Sequence, residues 1–498
     1  MSVIKKLIGQ TAVYGLLTIV ARFINLLLVP LHTHYLTAEM YGKTGIFYSY
    51  IALAMIILTY GMETTFFNFA RKKEFADKVY GTSFLSLQFT SVFFLALGIL
   101  FNHHIAWLIG KPDAGQLVLY MFIILAFDAM SAIPLALFRL QEKTWKFTIV
   151  RVSGILLSIL LNFYFIAFCP WLIKHGYIGF YNYFYNPNHL VEYIFIANMV
   201  SSIFVYLCCI YSTKNEAIKF DFSLLKKMLW YTWPLIFVGT AGVINETVDR
   251  ILIDKLMPNG EYYAGIYNAF YKISIVITLM VQAFRMGAEP FFFTHLSSAN
   301  RDKIYAVILK YFTYCCTVVF LITALFAEQI SVILIRNPKY FENKDGLFIV
   351  PILLLANVFL GIYYNLSIWY KAENKTGYGA IIAIIGAIIT LSINIVFIPL
   401  YGIIAAAFAT LCCYFVMTVI SYLWGQQHLP IKYEWFKILG IIFSACGFVA
   451  FFNYSGFSLS SNPTIGYVIK WAAILLYLSF WLWIERHDLK QLLKKQNL

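Results

Sequence analysis

Long runs of apolar residues, separated by short polar segments, dominate the chain from end to end. Each run is about 20 residues long, which is the length that an α-helix needs to cross the hydrocarbon core of a bilayer. The runs are apolar on every face and lack the alternation of a membrane β-barrel strand. The pattern therefore predicts an all-α polytopic membrane protein with about 14 transmembrane helices. The predicted spans are residues 10–31, 43–67, 79–101, 116–138, 148–169, 191–211, 230–257, 263–288, 304–327, 348–370, 379–398, 402–424, 435–454 and 464–484.

The composition supports this class and excludes a soluble one. Hydrophobic residues make up 61% of the 498 positions and charged residues 12%, and the mean hydropathy is +0.76. A soluble domain of this size would not show these values. The first apolar run continues to Leu31 without a small-x-small cleavage site, so we predict an uncleaved first span and not a signal peptide. The spans leave no room for a separate domain outside the membrane.

The cysteines and the net charge point to no cofactor and to no nucleic acid. None of the eight cysteines lies in a CxxC motif or beside clustered histidines, so we expect small buried apolar side chains and no metal. The net charge is +14, but the cations are spread between the spans and form no single patch. Most of them fall on one side of the membrane, and the positive-inside rule then predicts that both termini are cytoplasmic. The segments predicted to be outside hold only Lys43, Lys111, Lys174, Arg336, Lys339 and Lys344.

Two stretches of the chain repeat at a nearly constant distance. Residues 139–162 align without gaps with residues 371–394, and the motif GxExxFF at 61–67 recurs at 287–293. The first alignment places Lys143, Thr144, Gly154 and Asn162 on Lys375, Thr376, Gly386 and Asn394. A shift of six spans keeps the orientation, so the repeat is parallel and predicts two six-helix lobes with a cavity between them. The predicted domains are 1–215 (N-lobe), 216–430 (C-lobe) and 431–498 (two further helices and a basic cytoplasmic tail).

Span 7 differs from the other spans because it carries a cluster of charges. Glu246, Asp249, Arg250 and Asp254 lie within three helical turns of one another. A charged side chain at the centre of a membrane helix costs roughly 2.5 to 3.5 kcal/mol, so such residues need partners, water or a function. The spacing i, i+4, i+8 predicts that Glu246, Arg250 and Asp254 partly neutralise one another.

Several motifs carry a resemblance to a known family. They are DRILIDKL in span 7 followed by Tyr263-Ala264-Gly265-Ile266-Tyr267, QAFRMGAEPFFF at 282–293 and IPLYGIIAAAFATL at 398–411. In this order the chain resembles, over essentially its whole length, the O-antigen type polysaccharide flippases of the MOP superfamily. The resemblance implies a MATE-like fold. It also implies a non-enzymatic function, the flipping of undecaprenyl-diphosphate-linked oligosaccharide across a bacterial cytoplasmic (inner) membrane by alternating access.

A diphosphate that crosses the apolar layer requires cations that face a wet cavity. The candidates for binding the substrate are Arg22, Arg151, Arg250, Lys272 and Arg285. Lys272 lies nearest the membrane midplane, and it is the best candidate for contact with the cargo.

Acidic groups inside the membrane are candidates for coupling transport to H⁺ or Na⁺. They are Asp128, Asp249, Glu246, Glu63 and Glu289. Glu63 and Glu289 are related by the repeat, and each has a basic residue within reach, Arg71 and Arg285 respectively. His32 and His34 are expected at the surface, in an outer loop.

Two other functions are compatible with parts of this pattern. An exporter of drugs or organic ions would share the fold but would favour an acid-rich cavity. A membrane glycosyltransferase or polysaccharide polymerase would need a larger outer loop than the longest connection here, about twenty residues. The expected partners are the bilayer and the lipid-linked glycan, with polysaccharide polymerase and assembly proteins as further candidates. We expect a monomer.

Overall fold

The computed structural model describes residues 23–24, 26–177, 179, 185–294, 300–373, 375–454 and 463–496. The regular structure in these ranges is helical throughout. We number the helices in chain order: α1 (26–35), α2 (Ala38–Thr59), α3 (Met62–Ala70), α4 (Ala76–Leu108), α5 (Gly115–Leu140), α6 (Thr144–Phe163), α7 (Cys169–Lys174), α8 (Leu190–Thr213), α9 (Phe222–Leu256), α10 (Gly260–Thr294), α11 (Arg301–Leu325), α12 (Ala327–Leu334), α13 (Asp345–Leu366), α14 (Ile368–Ala372), α15 (Thr376–Tyr401), α16 (Ile403–His428), α17 (Trp435–Tyr454) and α18 (Pro463–Gln496).

The described helices follow the order of the predicted spans. In the described ranges, 12 candidate spans are long and apolar enough to cross a membrane. The predicted span 7 corresponds to α9, whose 35 residues include the charged cluster, and α9 is not among these 12. The first predicted span lies mostly outside the described residues. Some helices, such as α4 and α18, extend well beyond the predicted ends of their spans, whereas α6 and α13 end before them.

The second span is not one helix, as the sequence predicted, but two. Tyr60 and Gly61 adopt left-handed backbone conformations, with φ of 37° and 71°, and they separate α2 from α3. Gly61 opens the first copy of the GxExxFF motif. In the second copy α10 continues without a break from Gly260 to Thr294. The two copies of the motif therefore share a sequence but not a backbone conformation.

The repeated glycines occupy equivalent contacts in the two lobes. A Cβ on Gly154 of α6 would lie 2.4 Å from Val205 of α8. A Cβ on Gly386 of α15 would lie 2.8 Å from Met417 of α16. In each lobe the fifth and sixth spans therefore cross at a glycine, which is the close approach that small residues permit in membranes. This packing explains why the two positions match in sequence.

Helix α9 connects the lobes by packing against both. Its first turns lie on the N-lobe, where Leu224 and Met228 join a buried cluster with Met62 and Phe66. Its later turns carry Asp249 into the C-lobe, between α10, α15 and α16.

The lobes also meet at the side of the membrane that is poor in cations. Lys111, after α4, forms ion pairs with Asp254 at 2.7 Å and with Glu261 at 2.6 Å. Lys255 donates a hydrogen bond to the carbonyl of Ile109. Nearby, a Cβ on Gly42 of α2 would lie 1.8 Å from the carbonyl oxygen of Glu261, so α2 and α10 cross in direct backbone contact.

The segment that follows α12 makes a related contact on the same, cation-poor side of the membrane. The hydroxyl of Tyr340, which is fully buried, donates to the carbonyls of Leu36 and Thr37. The backbone N–H of Arg336 donates to the hydroxyl of Thr33. The connection after α4 thus contacts the C-lobe, and the connection after α12 contacts the N-lobe, as a parallel repeat requires.

The two helices after the C-lobe are joined to it by a cluster of charges. Lys310 of α11 lies 2.9 Å from each of Glu434, Glu485 and Asp488. Lys437 of α17 contacts the same three carboxylates, at 2.7 to 3.2 Å. Residues 485–496 belong to the segment predicted as a basic tail; they continue α18 as one helix, and Glu485 and Asp488 contact Lys310 of α11.

Candidate functional site

A polar cavity lies within the N-lobe and reaches α10 of the C-lobe. Its volume is about 370 Å³, which is within the usual range for small-ligand sites. Helices α1, α2, α5, α6 and α8 form the wall, and α10 closes it. The polar side chains of the lining are His32, Tyr41, Thr44, Tyr48, Asp128, Arg151, Ser158, Asn162, Asn198, Ser201, Ser202, Asn268 and Lys272.

Three of the charges predicted for function line this cavity together. Arg151 comes from α6, Asp128 from α5 and Lys272 from α10. They are far apart in the sequence, and only the packing of the helices brings them to one place. Two cations and one carboxylate give the described lining a net charge of +1 when His32 is neutral.

Lys272 reaches the N-lobe because α10 packs closely against α2. A Cβ on Gly45 would lie 3.0 Å from the side-chain amide of Asn268. Asn268 and Lys272 are four residues apart, so they lie on the same face of α10. Both line the cavity, and the C-lobe therefore contributes one of its two described cations.

His32 is a component of the cavity that the sequence did not predict. It was expected in an outer loop, but it is buried, with 9% of its surface exposed. Its Nε2 lies 2.9 Å from the Oδ1 of Asn162 on α6, and its ring lies 6.3 Å from that of Tyr41. No pattern around His32 signalled this position. The sequence did single out Asn162, the hydrogen-bond partner of His32, because the repeat matches it with Asn394.

A second polar site lies in the C-lobe around Asp249, which is 1% exposed. Its carboxylate accepts hydrogen bonds from Tyr267 at 2.8 Å, Asn394 at 2.8 Å and Thr410 at 3.2 Å. These donors belong to α10, α15 and α16. The Oδ1 of Asn394 is also buried, and it accepts no hydrogen bond from the described residues. The site therefore places a buried amide oxygen beside a carboxylate.

Arg250 is buried beside this network and does not line the N-lobe cavity. It donates to the backbone carbonyl of Glu246 at 2.6 Å, and its guanidinium lies 4.1 Å from the centroid of the Tyr271 ring. The side chain of Glu246 is exposed. The predicted neutralisation of Asp254 within α9 is wrong, because Asp254 pairs with Lys111 of the other lobe.

The remaining candidates lie elsewhere. Glu63 pairs with Arg139 of α5 at 2.6 Å and not with Arg71 as predicted, because the break at Gly61 turns α3 toward the end of α5. Arg285 is exposed, and its guanidinium lies 4.9 Å from the centroid of the Tyr364 ring. Arg22 and the side chain of Glu289 lie outside what the structure describes.

Comparison with known families identifies the class of protein. The chain belongs to the polysaccharide biosynthesis protein family, whose model matches residues 7–294. An uncharacterized membrane protein of Methanocaldococcus jannaschii, MJ1375, is 25% identical over 208 residues, which are 40% of this chain and 45% of that protein. The match thus spans less than half the length of this relative.

Solved structures share the fold over nearly the whole chain. The lipid II flippase MurJ in an inward closed conformation has a TM-score of 0.73 at 18% identity, and the match covers 96% of this chain and 99% of that one. An inward-facing multidrug resistance MATE family transporter of the MOP superfamily has a TM-score of 0.63 at 16% identity, with 84% and 95% covered. The predicted MATE-like fold is confirmed. These neighbours are a flippase and a transporter, not enzymes.

Proposed function

We propose that this protein is a flippase that moves a lipid-diphosphate-linked oligosaccharide across the membrane by alternating access between its lobes. The observation that carries the proposal is the pair Arg151 and Lys272, which line one cavity from helices of different lobes. A diphosphate held by both would link cargo binding to the relative position of the lobes. In a site of low dielectric, such charge-assisted bonds are the strong ones.

The rest of the lining suits a sugar next to the diphosphate. Asn198 and Asn268 offer amide groups, and Ser158 and Ser201 offer hydroxyls. Amides and hydroxyls both donate and accept hydrogen bonds, as sugar hydroxyls require. The cavity is too small for a whole repeat unit, so we place the diphosphate and its first sugar there, with the lipid tail in the bilayer. Undecaprenol is the lipid carrier that the family resemblance suggests.

The export of organic cations is a weaker reading of the same cavity. Such a cargo would meet two cations and a single carboxylate among the described lining groups. Like charges at close range disfavour binding by several kcal/mol. Asp128 is better explained as the counter-charge that keeps Arg151 in place until an anion arrives.

We place ion coupling at Asp249. Hard cations such as Na⁺ take oxygen ligands, and Asp249 lies beside the buried Oδ1 of Asn394 and the hydroxyl of Thr410. Three helices meet at this carboxylate, so a change in its charge or ligation acts on their packing. Asp128 is the second coupling candidate. Glu246 and Glu63 are weaker ones because they are more exposed, and Glu289 stays a candidate from the sequence.

We propose that the protein lies in the inner membrane of a bacterium, with both termini in the cytoplasm. It rests on the distribution of Lys and Arg between the two sides. The lobes are then in contact on the outer side, at Lys111 and Tyr340, as an inward-directed state requires.

A deletion strain tests the proposed function. Loss of the gene should cause undecaprenyl-linked repeat units to accumulate at the inner leaflet. The intact gene should restore their export, Lys272→Ala should not, and the surface variant Lys344→Ala should behave as wild type. Full restoration of export by Lys272→Ala would contradict the proposed contact between Lys272 and the diphosphate. A deletion that leaves the amount of lipid-linked intermediates unchanged would contradict the proposed function.

A further inference from the structure

His32 occupies the cavity in one defined orientation. The Nδ2 of Asn162 donates to the backbone carbonyl of Ser158 at 2.8 Å, and this carbonyl can only accept. The amide oxygen of Asn162 must therefore be the atom that faces Nε2 of His32, at 2.9 Å. An amide oxygen accepts hydrogen bonds and does not donate them, so Nε2 carries the hydrogen. In the neutral ring, the lone pair then resides on Nδ1.

The surroundings of His32 determine when Nδ1 can take a proton. Burial of the ring opposes a positive charge on it. In the cavity the ring also lies with the cations Arg151 and Lys272, and Lys272 is close enough for its charge to act on the ring. These two positive charges disfavour a third one on His32. The titratable and charged groups that line the cavity around it are Tyr41 and Tyr48 of α2, Asp128 of α5, Arg151 of α6 and Lys272 of α10.

The charge balance changes when the cargo enters. The described lining has a net charge of +1, from Arg151, Lys272 and Asp128. A diphosphate diester carries one negative charge on each phosphate, so it leaves the described lining one charge short of neutrality. An unbalanced charge in a site of low dielectric is costly. One proton on His32 restores the balance and provides a further donor to the phosphates.

We propose that cargo binding is linked to the uptake of one proton by His32, which thereby becomes a third cationic contact to the diphosphate. The proton comes from the solvent on the side where the cargo enters and binds Nδ1, and it leaves when the cargo leaves. Asn162 acts as the positioning residue, because its amide oxygen holds Nε2–H in both charge states. This inference rests on the proposed function and adds a proton to the transported charge.

Calorimetry of the purified protein tests the linkage directly. The probe is farnesyl-diphospho-N-acetylglucosamine, a diester whose phosphates do not titrate near neutral pH. Titrations at pH 7 to 8 in buffers of different ionisation enthalpy report the protons taken up per ligand bound. Wild type should take up close to one proton where His32 is neutral beforehand, and its affinity should rise by up to about tenfold per pH unit as the pH falls.

Variants separate His32 from its neighbours. His32→Gln should bind more weakly, with no proton uptake and with an affinity that changes less than about twofold across this range. His34→Gln, at an exposed histidine two residues away, should keep the uptake of wild type. Full uptake in His32→Gln would overturn the proposal.

A further variant keeps the test decisive if His32→Gln does not fold. Asn162→Asp retains an acceptor for Nε2–H, and its charge keeps the imidazole protonated in the empty cavity. Uptake on binding should therefore fall well below one proton while the diester still binds, and unchanged uptake would overturn the proposal. Wild type that binds the diester without proton uptake overturns this inference alone. Wild type that does not bind the diester overturns the proposed function.

Discussion

Asn162 and Asn394 occupy the same position in the two copies of the repeat, and each bonds an ionisable side chain from the first span of its own lobe. Asn162 accepts from His32 at 2.9 Å, and Asn394 donates to Asp249 at 2.8 Å. The asparagine at this position thus contacts a histidine in the N-lobe and a carboxylate in the C-lobe. The N-lobe site lines a cavity that suits an anion, whereas the C-lobe site is closed and oxygen-rich. One repeated position has therefore diverged into a candidate cargo site and a candidate ion site.

Removal of the cavity cation on α6 should weaken cargo binding strongly. A hydrogen bond to a charged group contributes about 1.5 to 3 kcal/mol, so Arg151→Ala should raise the dissociation constant for the diester roughly 10- to 100-fold. The measurement is equilibrium binding to purified protein. Arg71→Ala, at an exposed arginine between α3 and α4, is the matched control and should bind as wild type. A change of less than twofold for Arg151→Ala would exclude Arg151 from the site.

Neutralisation of the buried carboxylate on α9 should impair coupling more than binding. Asp249→Asn keeps the shape of the side chain but removes the charge that a coupling ion needs. We expect diester binding within about twofold of wild type, because Asp249 lies outside the cavity, together with loss of the dependence of transport on a Na⁺ or H⁺ gradient in proteoliposomes. Asp113→Asn, at an exposed position after α4, is the control. Unchanged gradient dependence in Asp249→Asn would place the coupling site elsewhere.

Loss of the ion pairs of Lys111 should loosen the contact between the lobes on the cation-poor side. Lys111→Ala leaves the carboxylate of Asp254, which is 3% exposed, without this partner. Stranding a buried charged group costs about 1 to 3 kcal/mol or more, so amides in residues 254–261 should exchange with solvent faster. Hydrogen exchange followed by mass spectrometry measures this. Lys344→Ala should leave exchange in 254–261 as in wild type, and equal exchange in both variants would show that Lys111 does not hold the lobes together.

The charge cluster at Lys310 should be required for docking of the last two helices. Lys310→Met keeps the length of the side chain but leaves Glu434, Glu485 and Asp488 with Lys437 as their shared cation among the described partners. Breaking a buried ion pair by removing one partner costs about 3 to 5 kcal/mol. The thermal unfolding midpoint in detergent should therefore fall by several degrees. Lys303→Met, at an exposed lysine on the same helix, should unfold as wild type.

The same cluster gives a pH dependence with a definite sign. Hydrogen bonds from Lys437 and Lys310 lower the pKa of Asp488 to about 2. A lowered pKa means that the ionised carboxylate stabilises the folded state above its unfolded pKa of about 4, and that this stabilisation is lost as the pH falls toward 2. Asp488→Asn should therefore be less stable than wild type at pH 7, with a difference that shrinks below about pH 4. A difference that is independent of pH would show that the ionisation of Asp488 does not contribute.

The sequence predicted the helices and the repeat well, and the site only in part. Gly154 and Gly386 were matched by alignment alone, and both lie at the crossing of the fifth and sixth spans. Asp128, Arg151 and Lys272 were each singled out as intramembrane charges, but nothing in the sequence indicated that they line one cavity. Arg250 was chosen by the same criterion and lies in a different buried site. The cost of burying a charge marks a residue as important without indicating its partner.

What the sequence determined by itself is the set of membrane helices, their order and their parallel repeat. A bilayer offers the backbone no hydrogen bonds, so a long apolar run has one common solution, the helix, and its length is enough to recognise it. The tertiary structure decided which polar side chains meet. The break at Gly61 directs Glu63 to Arg139, and the crossing of α2 with α10 brings Lys272 to His32. These contacts depend on the rotation and crossing of each helix, which are set by its packing against the others.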